Sequence, residues 1–425
     1  MSKITLDLLM EAATPGGASC LTSVTDLEPA AGPQASVAPA KFAAARNSND
    51  KRGEYAYERR FLDKRSATAV IIDSKQSQLN RCEAALELAI VDGHPTLSRM
   101  PRVEVTYVRD GETETYSDLT LPHRVYDGHI RAGSVSGTPV TQVEAYRAIR
   151  NATPANARAV LDASPVSLIF GSWDSSRSTR QGRWRSILVG EIIGFCEDHW
   201  DAQGREKSPA LRGGARVDPV GMQVRLNEAS LKDIAQAQRA ELTPDTYEKA
   251  VNAVGKNKAK PAKSGEKAEV TASASMLGLG GIPPTLDALA GVACERIIRS
   301  HVLSFAALRQ LRFGAGAEGD AACRALLAAL ALNALARADS ELYLRANCDL
   351  RESGPAAVGM DQRGGGLLAL KPLSIEEADA LLDAALDVAG RRAGIQWNGP
   401  VLRVIGNQNI VQGAVDEEND GGAGA

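Results

Sequence analysis

Aromatic side chains make up only 4% of the 425 residues, and there are just five histidines, so proton-shuttling sites and rows of stacking rings are both in short supply. The six cysteines, Cys20, Cys82, Cys196, Cys294, Cys323 and Cys348, lie far apart and form no CxxC. Neither a disulfide framework nor a zinc ribbon is signalled, and a reduced, cytoplasmic compartment is expected. The opening MSKITLDLLMEAATPGG has no cationic start and no long apolar run of the kind that marks a secretory signal. The most apolar stretch, ALLAALALNALARA, is interrupted by Asn333 and Arg337 well short of a membrane span, so a soluble chain without a membrane partner is expected. GLGG and RGGG lack the GK[ST] continuation of a phosphate-binding loop and the dinucleotide fingerprint, and no GxSxG is present. No cofactor and no metal are expected.

Charge is nearly balanced at −3, yet the last fifteen residues hold Asp416, Glu417, Glu418 and Asp420 with no cation. The remainder of the chain is therefore slightly positive, which permits a local basic surface without advertising one. Residues 12 to 50, rich in Ala, Pro, Gly and Ser, read as an extended arm or loosely packed entry segment. ATAVII reads as a buried strand, and Asp73, three residues before Gln76, as the cap of a helix carrying Leu79, Cys82, Leu86 and Ile90. VEVTYVRDGETETYSDL alternates in period two about Asp110-Gly111 and predicts a hairpin over 103 to 118. SPVSLIFG reads as a second buried strand, and ILVGEIIGF as strand or helix. The lysine-rich 255 to 268, GKNKAKPAKSGEKA, reads as a solvated loop and the most natural internal boundary. Beyond it GVACERIIRSHVLSFAALRQLRF predicts a helix stopped by Gly314, a second buried helix covers roughly 320 to 338, and Ser374 with Glu377 opens a third through a capping box. LRVIG closes the ordered part as a strand. Helices and strands in this irregular series predict an α+β fold with large insertions.

The chemistry on offer is that of gripping. In SWDSSRSTRQGRWR, Arg177, Arg180, Arg183 and Arg185 face only Asp174 as a counter-charge, and planar guanidinium forks suit phosphate. Ser175 and its neighbours add hydroxyls, while Trp173 and Trp184 could stack a base or simply pack. In DSKQSQLNR, Ser74, Lys75, Gln76, Gln78, Asn80 and Arg81 supply amides, a hydroxyl and cations that suit ribose 2′-hydroxyls and phosphates. Just upstream, YERRFLDKR adds Arg59, Arg60, Lys64 and Arg65. A solvated loop or a polar helix face would look the same in each case. His123, Asp127 and His129 in HRVYDGH, and Cys196 with His199, are weak metal or proton-transfer constellations that recur by chance.

Several separated blocks, FLDKRSATAVIIDSKQSQLNR, SPVSLIFGSWDSSRSTRQGRWRSILVGEIIGF, GLGGIPP, LSFAALRQLRF and YLRANCDL, resemble in content and order the backbone subunit of type I-G (formerly type I-U) CRISPR surveillance complexes. The resemblance spans roughly residues 40 to 350 and implies an RRM-like (ferredoxin-like) palm of the RAMP superfamily, with a β-hairpin thumb among its insertions. On that basis residues 1–50 are an arm, 51–254 the first part of the palm with an inserted hairpin, 255–268 a flexible loop, 269–410 the second part of the palm with a helical region, and 411–425 an acidic tail. It implies a non-catalytic, Cascade-type role. Copies would line up head to tail along the crRNA so that it can pair with target DNA, beside a large subunit, a fused cap-and-processing subunit and a recruited helicase-nuclease.

A subunit that must hold any spacer has to grip phosphates and 2′-hydroxyls and leave base edges free, which is what the two polar blocks supply. No RNP1-like KGFGFVxF run is present to stack bases on a sheet. The competing expectation is a RAMP-type RNA endonuclease using Asp73, Asp174, His123 or His129. The glycine-rich C-terminal loop that guide-processing relatives carry is not found here.

Overall fold

The computed structural model of the protein describes residues 1–42, 54–109, 111–174, 176–177, 182–196, 225–240, 242–252, 257–258, 270–274, 277 and 291–412. Backbone contacts divide the chain into two compact units, one from Met1–Lys207 with Val292–Ala414, the other from Ser208–Gly291 with Val415–Ala425.

The first unit begins with α1 (Leu6–Ala13), whose first turn is closed by Thr5 Oγ1 accepting from Leu8 N at 3.3 Å. Its strands and helices then follow as β1 (Cys20–Pro29), β2 (Tyr57–Leu62), β3 (Arg65–Asp73), α2 (Lys75–Val91), β4 (Arg102–Arg109), β5 (Glu112–Ser117), α3 (Glu144–Asn151), α4 (Pro165–Ile169) and β6 (Leu188–Cys196). In the second unit lie α5 (Glu228–Ala237) and α6 (Pro244–Val251). The first unit resumes with β7 (Arg296–Ser304), α7 (Gly316–Glu341), β8 (Leu350–Glu352), β9 (Ala357–Gln362), β10 (Gly366–Leu370), α8 (Ile375–Ala393) and β11 (Pro400–Ile405).

An eight-stranded sheet runs in the order β10-β9-β1-β7-β6-β3-β2, with β8 also on β1, and its neighbours are all antiparallel. One face of it is built from Leu21 and Leu27 of β1, Ile297 and Leu303 of β7, Leu188 and Ile192 of β6 and Val70 of β3, all buried. Helix α7 is the apolar centre, packed on α8, α1 and α2. Leu326, Leu327 and Leu330 on it are fully buried, and each such side chain contributes about 1.5–3 kcal/mol relative to an exposed one. By length and composition α7 could cross a membrane, but most of it is enclosed by the fold, and the interrupting Asn333 and Arg337 both donate to Asp379 at 2.6 Å. A second sheet has the order β5-β4-β11 followed by residues 134–135 and 138–139, with β4 and β11 parallel.

The architecture is α+β, as the pattern of elements predicts. Several local expectations are corrected. Residues 12 to 50 are not a loose arm over their first half, because β1 is an inner strand between β7 and β9. SPVSLIFG forms α4, with Pro165 at its first turn, and all five of its residues are buried, so no alternation was there to read. In place of the helix expected from 291 to 313 stand β7 and, directly after it, a short turn of helix over Phe305–Leu308. Strand β7 buries every second side chain, but two of those are Arg299 and His301, which hides the alternation from a hydropathy reading.

Hairpin β4–β5 forms as expected, with Asp110 outside the described residues, yet Val103, Val105 and Tyr107 are buried, so the hairpin is part of a packed sheet and no projecting thumb. The capping box of α8 is present, Ser374 and Glu377 each bonding the other's backbone. In the second unit α5 and α6 pack Leu231, Ala235 and Ala250 with Ala274 and Leu277, and strand 270–273 pairs with 225–226 and 257–258. The lysine-rich segment thus falls inside this unit and does not mark a boundary. Beyond 257–258 it lies outside the described residues, as does the acidic tail from 413 onward.

Candidate nucleic-acid interface

The block that follows β3 turns largely inward. Ser74, not Asp73, caps α2, its Oγ accepting from Ser77 N at 3.3 Å. Asp73 is fully buried and accepts from Ser77 Oγ at 2.9 Å, Gln78 Nε2 at 2.6 Å, Arg81 at 3.0 and 3.1 Å, and Arg345 Nη2 at 2.5 Å. Burial raises the Asp73 carboxyl pKa, but the hydrogen bonds of Arg81, Gln78 and Ser77 outweigh it and hold the group below its ordinary value. Gln78 in turn receives the Nε2 hydrogen of His301 on its Oε1 at 3.2 Å. Burial, with Arg299 beside it, pushes the His301 imidazole down to about 3 and keeps it neutral. Gly190 on β6 is required here, since a Cβ would meet the His301 ring at 2.0 Å. Gln78 and Arg81 therefore serve the core, and only Lys75, Gln76 and Asn80 of the block are exposed, with Ser74 half-buried.

Hairpin β2–β3 turns through Asp63 and Lys64, both at positive φ (47° and 66°), and Arg59, Lys64 and Arg65 are exposed on it. Arg60 donates to Glu191 at 2.9 and 3.2 Å and to Glu58 at 2.7 Å, and Lys75 approaches the same Glu191 at 3.9 Å. Asp26 and Arg296 pair at 2.8 and 3.3 Å on the same face. Among the described residues this face of the main sheet is charge-balanced and offers no basic platform.

The loop between α4 and β6 turns outward. It starts at Gly171, φ 81°, where a Cβ would lie 2.8 Å from Trp184 O. Ser172–Trp173 then pairs with Arg183–Trp184. The loop's acid, Asp174, is fully buried and bound by Arg150 of α3 at 2.7 and 3.1 Å and by Ser176 Oγ at 3.0 Å. Burial raises its pKa, and those hydrogen bonds overcome the effect and leave it below the ordinary carboxylate value. Because Arg150 neutralises Asp174 from outside the loop, Arg183 and Arg185 are not drawn to the loop's acid. Arg177 reaches back to Arg150 O at 2.6 Å and Asn151 Oδ1 at 3.1 Å, which ties the loop to the end of α3. Arg183 lies over Trp173 at 4.4 Å, and Trp173, Arg183 and Arg185 are exposed. Trp184 packs inward, its Nε1 donating to Tyr126 Oη at 2.8 Å. Ser175 and Arg180 lie outside the described residues.

The remaining constellations do not assemble. Asp127 accepts from His123 N at 3.0 Å and His129 N at 2.9 Å as a helix cap, and His129 Nδ1 is 2.8 Å from Tyr107 Oη. Cys196 lies in β6, and His199 is outside the described residues. No group of His, Cys, Asp and Glu among the described residues could hold a metal ion. Sequence reasoning missed Arg150, Arg345 and Glu191, which set the charge of both blocks from distant parts of the chain, and Asn151, which holds Arg177.

No curated protein matches the chain. Residues 21–197, which contain both polar blocks, match a family model described as CRISPR-associated protein GSU0053, and that match supports a CRISPR-associated function for this chain.

Proposed function

We propose that this chain is the guide-RNA-binding backbone subunit of a type I-G CRISPR effector in the cytoplasm. Several copies would coat the crRNA spacer irrespective of its sequence, so that it pairs with target DNA beside the large and cap-and-processing subunits. The observation that carries the reading is the loop from 172 to 186. It presents Trp173, Arg183 and Arg185 outward while its acid is neutralised by Arg150 of α3. Arg183 and Arg185, with no carboxylate bound to them among the described residues and an exposed ring beside them, fit a sugar-phosphate chain whose bases must stay free.

The order of elements supports an RRM-like palm. β1, α2, β6, β7, α7 and β9 follow one another along the chain, and their strands lie side by side as β9-β1-β7-β6, with β3 and β2 added beyond β6. A charge-balanced sheet face also fits a palm that does not stack bases on its strands.

Nucleic acid recovered with the purified protein tests this reading. RNA of mixed sequence is expected, and protein free of nucleotide would contradict it. Incubation with labelled repeat RNA tests the non-catalytic role, and cleavage that disappears in His123→Ala would overturn it.

A further inference from the structure

The β2–β3 hairpin carries a large apolar side chain in the open. Phe61 is 78% exposed, one residue before the pair Leu62–Arg65 that closes the turn at Asp63 and Lys64. Lys64 and Arg65 follow it against one acid of the turn, Asp63, so the tip is an aromatic knob with a net positive charge. Between α2 and the end of α7 lies a groove of about 700 Å³ with Ala84, Ala85, Leu88 and Tyr343 in its wall. Leu88 and Tyr343 are 59% and 80% exposed. Its two arginines, Arg81 and Arg337, are held by Asp73 and Asp379, so Asp92 and Glu341 set the sign of the rim. Each of those acids stands at the C-terminal end of its helix, where unpaired carbonyls add partial negative charge.

We propose that the Phe61 hairpin of one copy docks in the α2–α7 groove of the next copy, Lys64 and Arg65 facing Asp92 and Glu341. The match is of shape class and of charge, apolar knob to apolar groove and basic tip to acidic rim. Within one copy Phe61 stays exposed, so the contact requires two. Because the two patches differ, the contact is head to tail and leaves a free knob at one end and a free groove at the other. It rests on the backbone reading above, to which it adds the surfaces by which successive copies meet.

The test uses full-length protein, alone and loaded on a single-stranded RNA long enough for several copies, with sedimentation velocity as the readout. Phe61→Glu spoils the knob and Leu88→Glu the groove, and both positions are exposed, so unchanged melting temperatures confirm that the fold survives. Each variant alone is expected to lose at least about tenfold in self-association, as for a central aromatic anchor. An equimolar mixture is expected to give pairs and nothing longer, because one sound knob meets one sound groove. Wild-type protein that never self-associates, a variant that assembles as the wild type does, or a mixture that yields no pairs overturns the contact. Self-association of RNA-free protein that follows this pattern, with no affinity for RNA, would reject the RNA reading and leave the contact standing.

Discussion

Residues 73 to 81 and 172 to 186 read alike, each an acid followed by serine, amide and cationic side chains, yet the structure gives them different work. Asp73 draws Gln78 and Arg81 from its own helix, with Arg345 added from far along the chain, so Gln78 and Arg81 are held to the buried acid and the block becomes scaffold. Asp174 draws Arg150 from α3, so Arg183 and Arg185 stay on the surface. The first block holds one arginine and the second four, but the count does not by itself decide their work. What separates them is which arginine reaches the buried carboxylate first, and that depends on packing between elements far apart in the chain.

The largest expected effect is on Asp73. Replacing it with alanine strands the guanidinium groups of Arg81 and Arg345 and should cost about 3–5 kcal/mol in urea unfolding. Asp174→Ala should cost less, about 1–3 kcal/mol, because it strands one guanidinium group where Asp73→Ala strands two, and it should also weaken RNA binding as the loop loosens. Equal losses at the two sites would erase the contrast. Asp73 also carries a pH signature. Its pKa is lowered on folding, so its contribution is complete above the ordinary carboxylate value of 3.8 and is lost as pH falls through the lower folded value.

Next in size is the split between affinity and stability. Arg183→Ala with Arg185→Ala should leave the melting temperature unchanged and reduce the log–log salt slope of RNA binding by roughly 1.4, at about 0.7 per phosphate on a single strand. Arg81→Ala should do the reverse. Trp173→Ala sharpens the picture further. If the exposed ring carries a base, the loss is about 1–3 kcal/mol of binding, the same for unrelated sequences.

The smallest effect comes from a third buried acid that has no arginine. Asp118 Oδ1 accepts from Val103 N at 3.4 Å, while Oδ2 has no partner among the described residues. Burial, with Glu83 and Glu87 nearby, pushes its carboxyl up to about 7. The sign is opposite to that of Asp73, since stability is greatest with the group protonated and falls as pH rises from about 4 through about 7. Asp118→Asn should therefore raise stability at pH 8 by about 1–2 kcal/mol and change little below about pH 4.

Much of the fold was legible because its signals are local. The Ser374–Glu377 capping box, the β4–β5 alternation and the Ala- and Leu-rich α7 each announce themselves within a few residues. Strand β7 was not legible, because Arg299 and His301 sit among its buried positions and are compensated by Glu352, Asp339 and Gln78 from elsewhere. The turn at Asp63-Lys64 was also hidden, since two side-chain-bearing residues occupy backbone conformations that sequence reading reserves for glycine and asparagine. At the candidate interface the residue types were readable and their orientation was not. Trp173 pairs with Arg183 and Trp184 with Ser172 across two short strands, and Trp173 faces out while Trp184 bonds Tyr126.

The most direct measurement is a salt titration of the purified protein's affinity for two oligoribonucleotides of equal length and unrelated sequence. The account predicts affinities that fall steeply with salt along superimposable lines. Affinity that ignores salt, or that favours one of the two sequences throughout, would contradict it.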